Sequence, residues 1–518
     1  MGAAGAVTLG GRRDLAARER ALIDQAFTRA TGAALVPGNA VRLLRDAAEN
    51  YPAWLRAIAA AERTIYFESY IIHEDEAGAE FAAALAAKAR EGVRVRVVYD
   101  WLGGLGKASA AFWRGLRAAG VEVRCFNPPR FANPAAALHR DHRKMLSVDG
   151  EVAFVTGLCV GRMWVGDAAR GVAPWRDTGV EVRGPAVANV EAAFARMWQS
   201  MGPPLPEGER RTRDEMADVG DVLLRVVASE PWTAGMLRLD QLIASAARES
   251  LWLTDAYFAG MPSYVQALCA AARDGVDVRL LVPGGSDIPI LRPLSQAGYR
   301  PLLEAGIRVF EWKGPMLHAK TAVADGRWAR VGSSNLNLAS WLGNYELDVA
   351  VENERFAQEM ERQYLADLGN AAEIVLVAER RRVPRTGKEQ VRRPTGARAG
   401  GSASRAAAGA LRIGNTVGAA ITDRRVLGHT EARIVTAAGL GTLALALVAL
   451  IWPRVLTVPL ALLALWMGGS LVSRGVSLYR ARRAVAATSQ RVVPLPAPAV
   501  PAAEAPAQEP LPQERAGA

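Results

Sequence analysis

Two short stretches of this sequence place a histidine, a lysine and an aspartate at the same spacing, H-x-K-x4-D. They comprise His142, Lys144 and Asp149, and His318, Lys320 and Asp325. On a β-strand, residues i and i+2 point to the same face, so each imidazole shares a face with an ammonium group. Such a set suits phosphodiester chemistry: one imidazole attacks phosphorus, the other protonates the departing alcohol, and the lysines stabilise charge on the phosphoryl oxygens.

The composition strengthens this interpretation of the lysines. The chain has five histidines, and six lysines against 57 arginines. In so lysine-poor a chain, a lysine at the same place in both stretches indicates a need for a compact ammonium charge rather than a guanidinium. The formal net charge of +11 predicts anionic partners, such as nucleic acid, anionic lipid or phosphorylated small molecules.

The two aspartates of the motifs are interpreted differently. Each is followed by glycine, and Asp-Gly favours a tight hairpin turn, with the apolar segments 152–155 and 328–331 as the partner strands. We therefore interpret Asp149 and Asp325 as turn-forming and supporting members of the candidate catalytic motifs. Outside the motifs, no cluster of His, Cys or Asp has the spacing of metal ligands, so we expect catalysis without a metal or another cofactor.

The two motifs occupy equivalent places in an internal repeat. Residues 64–70 (TIYFESY) correspond to 250–257 (SLWLTDAY), and 142–150 (HRKMLSVDG) correspond to 318–326 (HAKTAVADG). In each half, short β-branched runs alternate with Ala-rich amphipathic stretches. This alternation predicts an α/β fold of two repeated sandwich domains, packed face to face so that the two motifs meet.

The predicted domain boundaries follow from the repeat and from changes in composition. Pro, Gly and charged residues mark the junction between the halves, and a basic stretch follows the second half. The predicted segments are an N-terminal extension (1–39), domain 1 (40–205), a linker (206–221), domain 2 (222–376), a basic linker (377–432), a membrane hairpin of two spans (433–473) and a disordered tail (484–518).

The C-terminal region predicts a membrane anchor. Residues 434–452 and 455–472 are uncharged runs of 19 and 18 residues, each about the length of a membrane span. Arginines flank the pair of runs on both outer sides, whereas only Arg454 lies between them. Under the positive-inside rule both flanks, and the repeat upstream of them, face the cytoplasm. We therefore expect a protein of the bacterial inner membrane with its catalytic domains on the cytoplasmic side.

Both motifs resemble the HKD motifs of the phospholipase D superfamily, and the repeat covers nearly all of residues 40–375. Within that superfamily, the segments RDHRK and PWRDTGVEVRGPAV are similar to those of the cardiolipin synthases, and NYELDVAV resembles the strand that bears a carboxylate. The resemblance implies that Asp177 supports His142 and that Glu346 supports His318, each through the second ring nitrogen of the histidine.

The resemblance also implies an asymmetric phosphate site. In the second half, GSSN places Ser333 and Asn335 two residues apart on one strand face, where they would donate to a bound phosphate. The first half has TGLC where the cardiolipin synthases usually have Gly-Gly-x-Asn, so Cys159 replaces the amide donor and that half of the site lacks one hydrogen bond. A nucleophilic role for Cys159 is disfavoured, because a small buried residue serves equally well there.

These features predict a phosphatidyltransferase that resembles cardiolipin synthase and moves a phosphatidyl group to phosphatidylglycerol through a phosphohistidine. Its expected partners are anionic phospholipid and the membrane, not nucleic acid, and no feature indicates its oligomeric state. The alternatives are a phospholipase D that transfers to water, a phosphodiesterase or nuclease acting on nucleic acid, and a non-enzymatic membrane scaffold. Three tryptophans are candidates for an acyl-chain entrance: Trp113, Trp164 and Trp341.

Overall fold

The computed structural model describes residues 21–129, 139–287, 295–296 and 298–375, and scattered helical positions between 440 and 476. The chain divides into two compact units, Met1–Trp452 and Pro453–Ala518. The sequence-predicted basic linker and C-terminal tail lie outside the described residues, and the predicted spans are described only at scattered positions. No helix within the described residues is long and apolar enough to cross a membrane.

The first half of the repeat alternates strands with helices. In chain order its elements are α1 (residues 21–31), β1 (Val36–Arg45), α2 (Asp46–Ala59), β2 (Thr64–Ser69), α3 (Glu76–Arg90), β3 (Arg94–Asp100), α4 (Trp101–Gly104), α5 (Ala110–Ala118), β4 (Glu122–Phe126), β5 (Lys144–Val148), β6 (Val152–Thr156), α6 (Arg162–Val165), β7 (Thr178–Arg183) and α7 (Val187–Ser200).

The second half repeats the order of the strands and of the long helices, and adds a final strand. Its elements are β8 (Val222–Ser229), α8 (Gly235–Ala246), β9 (Ser250–Thr254), α9 (Pro262–Arg273), β10 (Asp277–Pro283), α10 (Tyr299–Glu304), β11 (Arg308–Trp312), β12 (Thr321–Ala324), β13 (Trp328–Gly332), β14 (Glu346–Glu352), α11 (Glu354–Leu368) and β15 (Ala371–Ile374).

Hydrogen bonds connect all the named strands into one mixed sheet, which confirms the predicted α/β class. From β1 outward the first half runs β1-β7-β6-β5-β2-β3-β4, and from β8 outward the second half runs β8-β14-β13-β12-β9-β10-β11-β15. Each strand of the first half therefore has a counterpart at the same place in the second. The pairs β2–β3, β3–β4, β9–β10 and β10–β11 are parallel, and the others are antiparallel. Every residue of β2, β5 and β6 is buried, as expected for strands covered on both faces.

The two halves are joined by a short ladder between β1 and β8. Only Val36 with Leu224 and Asn39 with Val222 are paired, and the register shifts between these positions. The buried Asn39 fixes this irregularity, because its Nδ2 donates to the carbonyl oxygens of Val36 (2.8 Å) and Val222 (3.2 Å). The direct strand pairing between the halves is thus small.

A shared hydrophobic core provides the larger connection between the halves. One cluster combines Val155 and Val180 of the first sheet half with Val331 and Val349 of the second, together with Phe194 of α7. All five side chains are at most 1% exposed. Because burial of apolar area is the main favourable term in folding, this core holds the two motif-bearing halves together.

Candidate active site

The two motif histidines lie where the halves meet. His142 lies two residues before β5, and His318 lies three residues before β12. Each backbone is held by the other half: His142 N donates to Tyr345 O (2.9 Å), and His318 N donates to Arg176 O (2.7 Å). Both histidines are buried, with 9% and 5% exposure. Packing of the halves therefore brings the two motifs into one site.

Each imidazole is hydrogen-bonded to a carboxylate of the other half. His142 Nδ1 lies 2.9 Å from Glu346 Oε2, and His318 Nδ1 lies 2.7 Å from Asp177 Oδ2. The sequence-based pairing of Asp177 with His142 and of Glu346 with His318 is therefore wrong. Within the first half, β6 lies between β5, which follows His142, and β7, which follows Asp177, so these two residues are kept apart. Across the halves, Tyr345 and Arg176, the residues before the two carboxylates, each form a β-bridge with the motif segment of the other half.

Burial leaves both imidazoles neutral at neutral pH. It is the largest cause that lowers the pKa of His142, and it lowers the pKa of His318 to about 3, reinforced there by Lys320. Burial alone would raise the pKa values of Asp177 and Glu346, but the neighbouring histidines and lysines hold both below their usual range. A neutral imidazole that donates its Nδ1–H to a carboxylate presents an unprotonated Nε2.

The two motif lysines are buried beside the histidines. Lys144 Nζ donates to His142 O (2.6 Å), and Lys320 Nζ donates to His318 O. Burial and the charge of Lys144 lower the pKa of Lys320, Asp177 opposes the shift, and the result is a pKa of about 8. An ammonium group has three donors, so each lysine keeps N–H groups for the oxygens of a phosphate.

Ser333 and Asn335 lie in the site but differ from the sequence-based expectation. They follow the end of β13 at Gly332, so they do not share a strand face. Ser333 Oγ donates its one proton to Glu346 Oε2 (2.5 Å) and accepts from Leu347 N (2.9 Å), so this hydroxyl supports the carboxylate. Asn335 is buried, its Nδ2 lies 3.5 Å from Ser340 Oγ, and its Oδ1 has no partner in the described part of the chain. Of these two side chains, only that of Asn335 is loosely held.

The aspartates of the two motifs lie at the far end of the strands from the imidazoles. Asp149 adopts a left-handed backbone (φ 56°), and its carboxylate accepts from the backbone N–H groups of residues 62–64, each at 2.8 Å. Asp325 has φ 51° and accepts from residues 248–250 at 2.8–3.0 Å. Both carboxylates therefore tie the turn after β5 or β12 to the start of β2 or β9.

Cys159 is fully buried next to the site. Burial raises the pKa of its thiol, although Lys144 and Lys320 act in the opposite direction. The thiol is therefore protonated at neutral pH, which does not favour a nucleophile.

The side chains around His318 include Trp175, which the sequence did not indicate, and Trp164, which it indicated for another role. The rings of Trp164 and Trp175 each lie 5.6 Å from the imidazole, and Trp164 Nε1 donates to Asp177 Oδ2 (3.1 Å). Trp113, Trp164 and Trp341 are at most 5% exposed, so the expectation that they form an acyl-chain entrance is wrong. Their large apolar area is better buried in the core than left in water.

Arg176 is a second residue that the sequence did not indicate. It is 4% exposed, and its Nε and Nη2 donate to both carboxylate oxygens of Asp367 in α11 (2.9 and 2.7 Å). Its Nη1 donates to Asp46 (3.0 Å). This bidentate ion pair fixes the segment that carries Asp177 to the other half. In the sequence, only its position directly before Asp177 could have indicated that Arg176 supports the site.

Among the residues that the structure describes, no three His, Cys, Asp or Glu side chains lie close enough together to hold a metal ion. The groups that converge in the site are two neutral imidazoles, their carboxylates and two ammonium groups. This arrangement can bind the oxygens of a phosphodiester, attack its phosphorus and move a proton.

Comparisons with known proteins agree with this geometry. A family model described as "Cardiolipin synthase, PLD-like domain" matches residues 54–198 and 239–368. Cardiolipin synthase of Alkalihalophilus pseudofirmus is 33% identical over 64% of this chain and 67% of its own length. Cardiolipin synthase A of Pseudomonas aeruginosa is 33% identical over 68% of this chain and 71% of its own length.

The fold has a counterpart among solved structures. Phosphatidylserine synthase of Haemophilus influenzae superposes with a TM-score of 0.55 at 15% identity, over 68% of this chain and 92% of that one. At this level of identity the likeness concerns the fold. The family match covers both halves of the repeat and both motifs. The chain therefore belongs to the phospholipase D-like family described as "Cardiolipin synthase, PLD-like domain", and it is an enzyme of the phospholipase D type.

Proposed function

We propose that this enzyme is a phosphatidyltransferase that moves the phosphatidyl group of one phospholipid to a hydroxyl of phosphatidylglycerol, which gives cardiolipin. The observation that carries the proposal is the convergence of two imidazoles, each bonded to a buried carboxylate, with two ammonium groups. The names of the curated relatives support the choice of lipid.

In the first half-reaction, His142 is the nucleophile and His318 the acid. Glu346 accepts the Nδ1–H of His142, so the Nε2 lone pair attacks phosphorus. The bond from phosphorus to the headgroup oxygen breaks, and Nε2–H of His318 protonates that oxygen. The products are a phosphatidyl group on His142 and a neutral His318.

The second half-reaction reverses the proton transfer. Neutral His318 takes the proton from a hydroxyl of phosphatidylglycerol, whose oxygen attacks phosphorus and displaces the His142 nitrogen. Lys144, Lys320 and Asn335 donate to the phosphoryl oxygens in both steps. If water replaces the lipid hydroxyl, the product is phosphatidic acid.

The proton that His318 needs is acquired together with the substrate. In the empty site the pKa of His318 is about 3, so the imidazole is neutral. A phosphodiester carries one negative charge, and an anion beside an imidazole raises its pKa. Asp177 then stabilises the imidazolium through Nδ1, as the buried aspartate of a catalytic triad does. Substrate binding and protonation of His318 are thus coupled.

We further propose that residues 433–473 form a membrane hairpin and that the catalytic domains, 40–205 and 222–376, face the cytoplasm. The uncharged runs and their flanking arginines support this topology. Reporter fusions after residue 405 and after residue 490 should both behave as cytoplasmic. A periplasmic signal from either fusion would contradict the topology without affecting the chemistry.

The function is tested by incubating the purified full chain with phosphatidylglycerol labelled in its headgroup and, separately, in its acyl chains. We expect cardiolipin and free glycerol in equal amounts. Phosphatidic acid with no cardiolipin would replace the proposal with hydrolysis. The absence of any turnover of phosphatidylglycerol would remove the lipid substrate from the proposal.

A further inference from the structure

Exposed aliphatic side chains surround the candidate active site. In the described chain between residues 21 and 375, twelve large apolar side chains are exposed, and six of them lie on loops or short helices beside the two histidines. We call these six the rim: Leu102, Leu105, Val165, Val172, Trp232 and Leu338. The other six are spread over the N-terminal helix, the linker, β8, α11 and the segment just after β15.

The fold explains why the rim residues come together. In the first half, β3 and β6 run in the same direction as β2, and in the second half β8 and β13 run in the same direction as β9. β3, β6, β8 and β13 therefore end at the edge of their half-sheet where β5 begins with Lys144 and β12 begins directly after Lys320. All six rim residues follow the carboxyl ends of these four strands.

Short chains of contact connect the rim to each histidine. Gly103, between Leu102 and Leu105, packs against Tyr70, whose ring lies 5.1 Å from His142. The loop that carries Leu338 is held by Asn337 Nδ2, which donates to Tyr257 O (2.9 Å).

Val165 ends α6, and Val172 lies on the small hairpin that follows this helix beside His318. The backbones of Asp167 and Val172 pair with each other (2.8 and 2.9 Å). On the inner side of this segment, Trp164 and Trp175 enclose the imidazole, while the two valines are 52% and 51% exposed. One segment therefore buries its aromatic rings around the site and turns its aliphatic side chains outward.

Trp232 is the most exposed tryptophan of the described chain, at 75%. Its backbone is left-handed (φ 68°), which is unfavourable for a bulky residue, and its N–H donates to Leu342 O (2.9 Å). It lies on a connection of residues 230–234 between β8 and α8, whereas β1 continues directly into α2 in the first half. This extra loop holds an indole in water at the edge of the site, which costs free energy unless a partner covers it.

We propose that the rim is a docking surface that inserts into the interfacial region of a lipid bilayer. The inference rests on the proposed lipid substrate and identifies how that substrate reaches the site. The two imidazoles are buried, so the phosphodiester must enter between the loops while its acyl chains extend outward past the rim. A glycerophospholipid has its phosphate at the boundary between water and hydrocarbon, so the rim meets the apolar side of that boundary. The exposed Trp232 is suited to that boundary, because one part of an indole is apolar and another donates a hydrogen bond.

Insertion can be measured in the full chain by an environment-sensitive fluorophore on single cysteines. Leu338→Cys and Val172→Cys report on the rim, and Leu365→Cys and Leu223→Cys are controls of comparable type and exposure elsewhere (47% and 38%). Cys125→Ser in all variants removes the one native thiol that is not buried. In vesicles of phosphatidylglycerol and phosphatidylethanolamine, we expect blue-shifted emission and quenching by doxyl lipids at the two rim positions only.

Equal quenching at rim and control positions, or none at the rim, would overturn the docking surface. Because the fluorescence needs no turnover, an inserting rim in a chain that makes no cardiolipin would count against the proposed function alone. A second readout is Trp232→Ser, which should lower the rate on long-chain vesicles about tenfold and leave the rate on monomeric short-chain lipid nearly unchanged. Equal losses on both substrates would mean that Trp232 acts on the site itself and not on the membrane.

Discussion

The two halves hold their catalytic carboxylates by different means, although they share one fold and one motif. Glu346 accepts from Ser333 Oγ (2.5 Å), whereas Asp177 accepts from Trp164 Nε1 (3.1 Å) and from the backbone N–H of Thr178 (2.8 Å). In the first half Gly157 occupies the place of Ser333. A Cβ on Gly157 would lie 2.2 Å from Asp177 Oδ1, so the shorter acid requires a glycine beside it.

The register of the strands establishes this equivalence. Thr156 pairs with Gly179, and Gly332 pairs with Asp348, in each case two residues beyond the carboxylate. The residue after Thr156 therefore corresponds to Ser333. Gly157 of the TGLC segment therefore leaves room for Asp177, and the segment is not merely a degenerate form of the GSSN segment in the second half.

The surroundings of the two imidazoles differ as well. His318 has two tryptophan rings at 5.6 Å, and its pKa falls to about 3, whereas the nearest ring to His142 is that of Tyr70. A duplicated motif can therefore supply two chemically different imidazoles. In the mechanism that we propose, this difference would let one histidine attack and the other carry a proton only when an anion is bound.

The largest expected effect comes from removing either imidazole. His142→Ala and His318→Ala should each lower phosphatidyl transfer by roughly four orders of magnitude or more, because both act in one covalent cycle. The roles of the two histidines can be distinguished with a phosphatidyl ester of p-nitrophenol, whose leaving group needs no acid. His318→Ala should still release one equivalent of nitrophenol, and His142→Ala none. A burst in His142→Ala alone would reverse the assignment of nucleophile and acid.

A smaller effect is expected from exchanging the residues beside the carboxylates. Gly157→Ala places a methyl group against Asp177, so it should lower kcat about 100-fold by displacing the partner of His318. Ser333→Ala removes one hydrogen bond to Glu346 and should lower kcat about tenfold. Steady-state rates measure both. Equal tolerance of the two substitutions would contradict the difference between the halves.

The pH dependence of stability should also distinguish the two histidines. A histidine whose pKa is lower in the folded than in the unfolded chain contributes fully above its unfolded pKa, and the contribution is lost as the pH falls. The thermal midpoint should therefore decrease below pH 6.5. His318→Gln should reduce this decrease measurably, since the pKa of His318 falls to about 3. An unchanged slope in His318→Gln would show that this imidazole is not buried neutral.

The smallest effect on chemistry is expected at the turn aspartates. Asp149→Ala removes the acceptor of three backbone N–H groups and should cost about 1–2 kcal/mol in the free energy of unfolding, with kcat within a few-fold. Asp149→Asn is the matched control, because asparagine tolerates the left-handed backbone and keeps one acceptor. A large loss of kcat in a stable Asp149→Asn variant would show that Asp149 takes part in the reaction and does not only support the turn.

The sequence predicted the candidate catalytic groups that the structure brings together, because their signal is local and occurs twice. The spacing of His142 and Lys144 follows from strand periodicity, and Asp149-Gly150 indicates a hairpin by turn chemistry alone. The partner of each imidazole was predicted wrongly, because it depends on packing between halves, which no local period contains. The same holds for Arg176, whose partner Asp367 lies 191 residues away. The role of Ser333 could not be predicted either, because it depends on the strand register that places Ser333 beside Glu346.

Each imidazole is held by the carboxylate of the other half, and this crossed pairing can be measured directly. With only five histidines in the chain, ¹⁵N-histidine labelling can resolve the Nδ1–H resonances of His142 and His318, assigned by His142→Gln and His318→Gln. We expect Glu346→Gln to shift the downfield Nδ1–H of His142 and leave that of His318 in place, and Asp177→Asn to do the reverse. If Glu346→Gln instead shifted only the Nδ1–H resonance of His318, each half would hold its own histidine, and the crossed pairing would be contradicted.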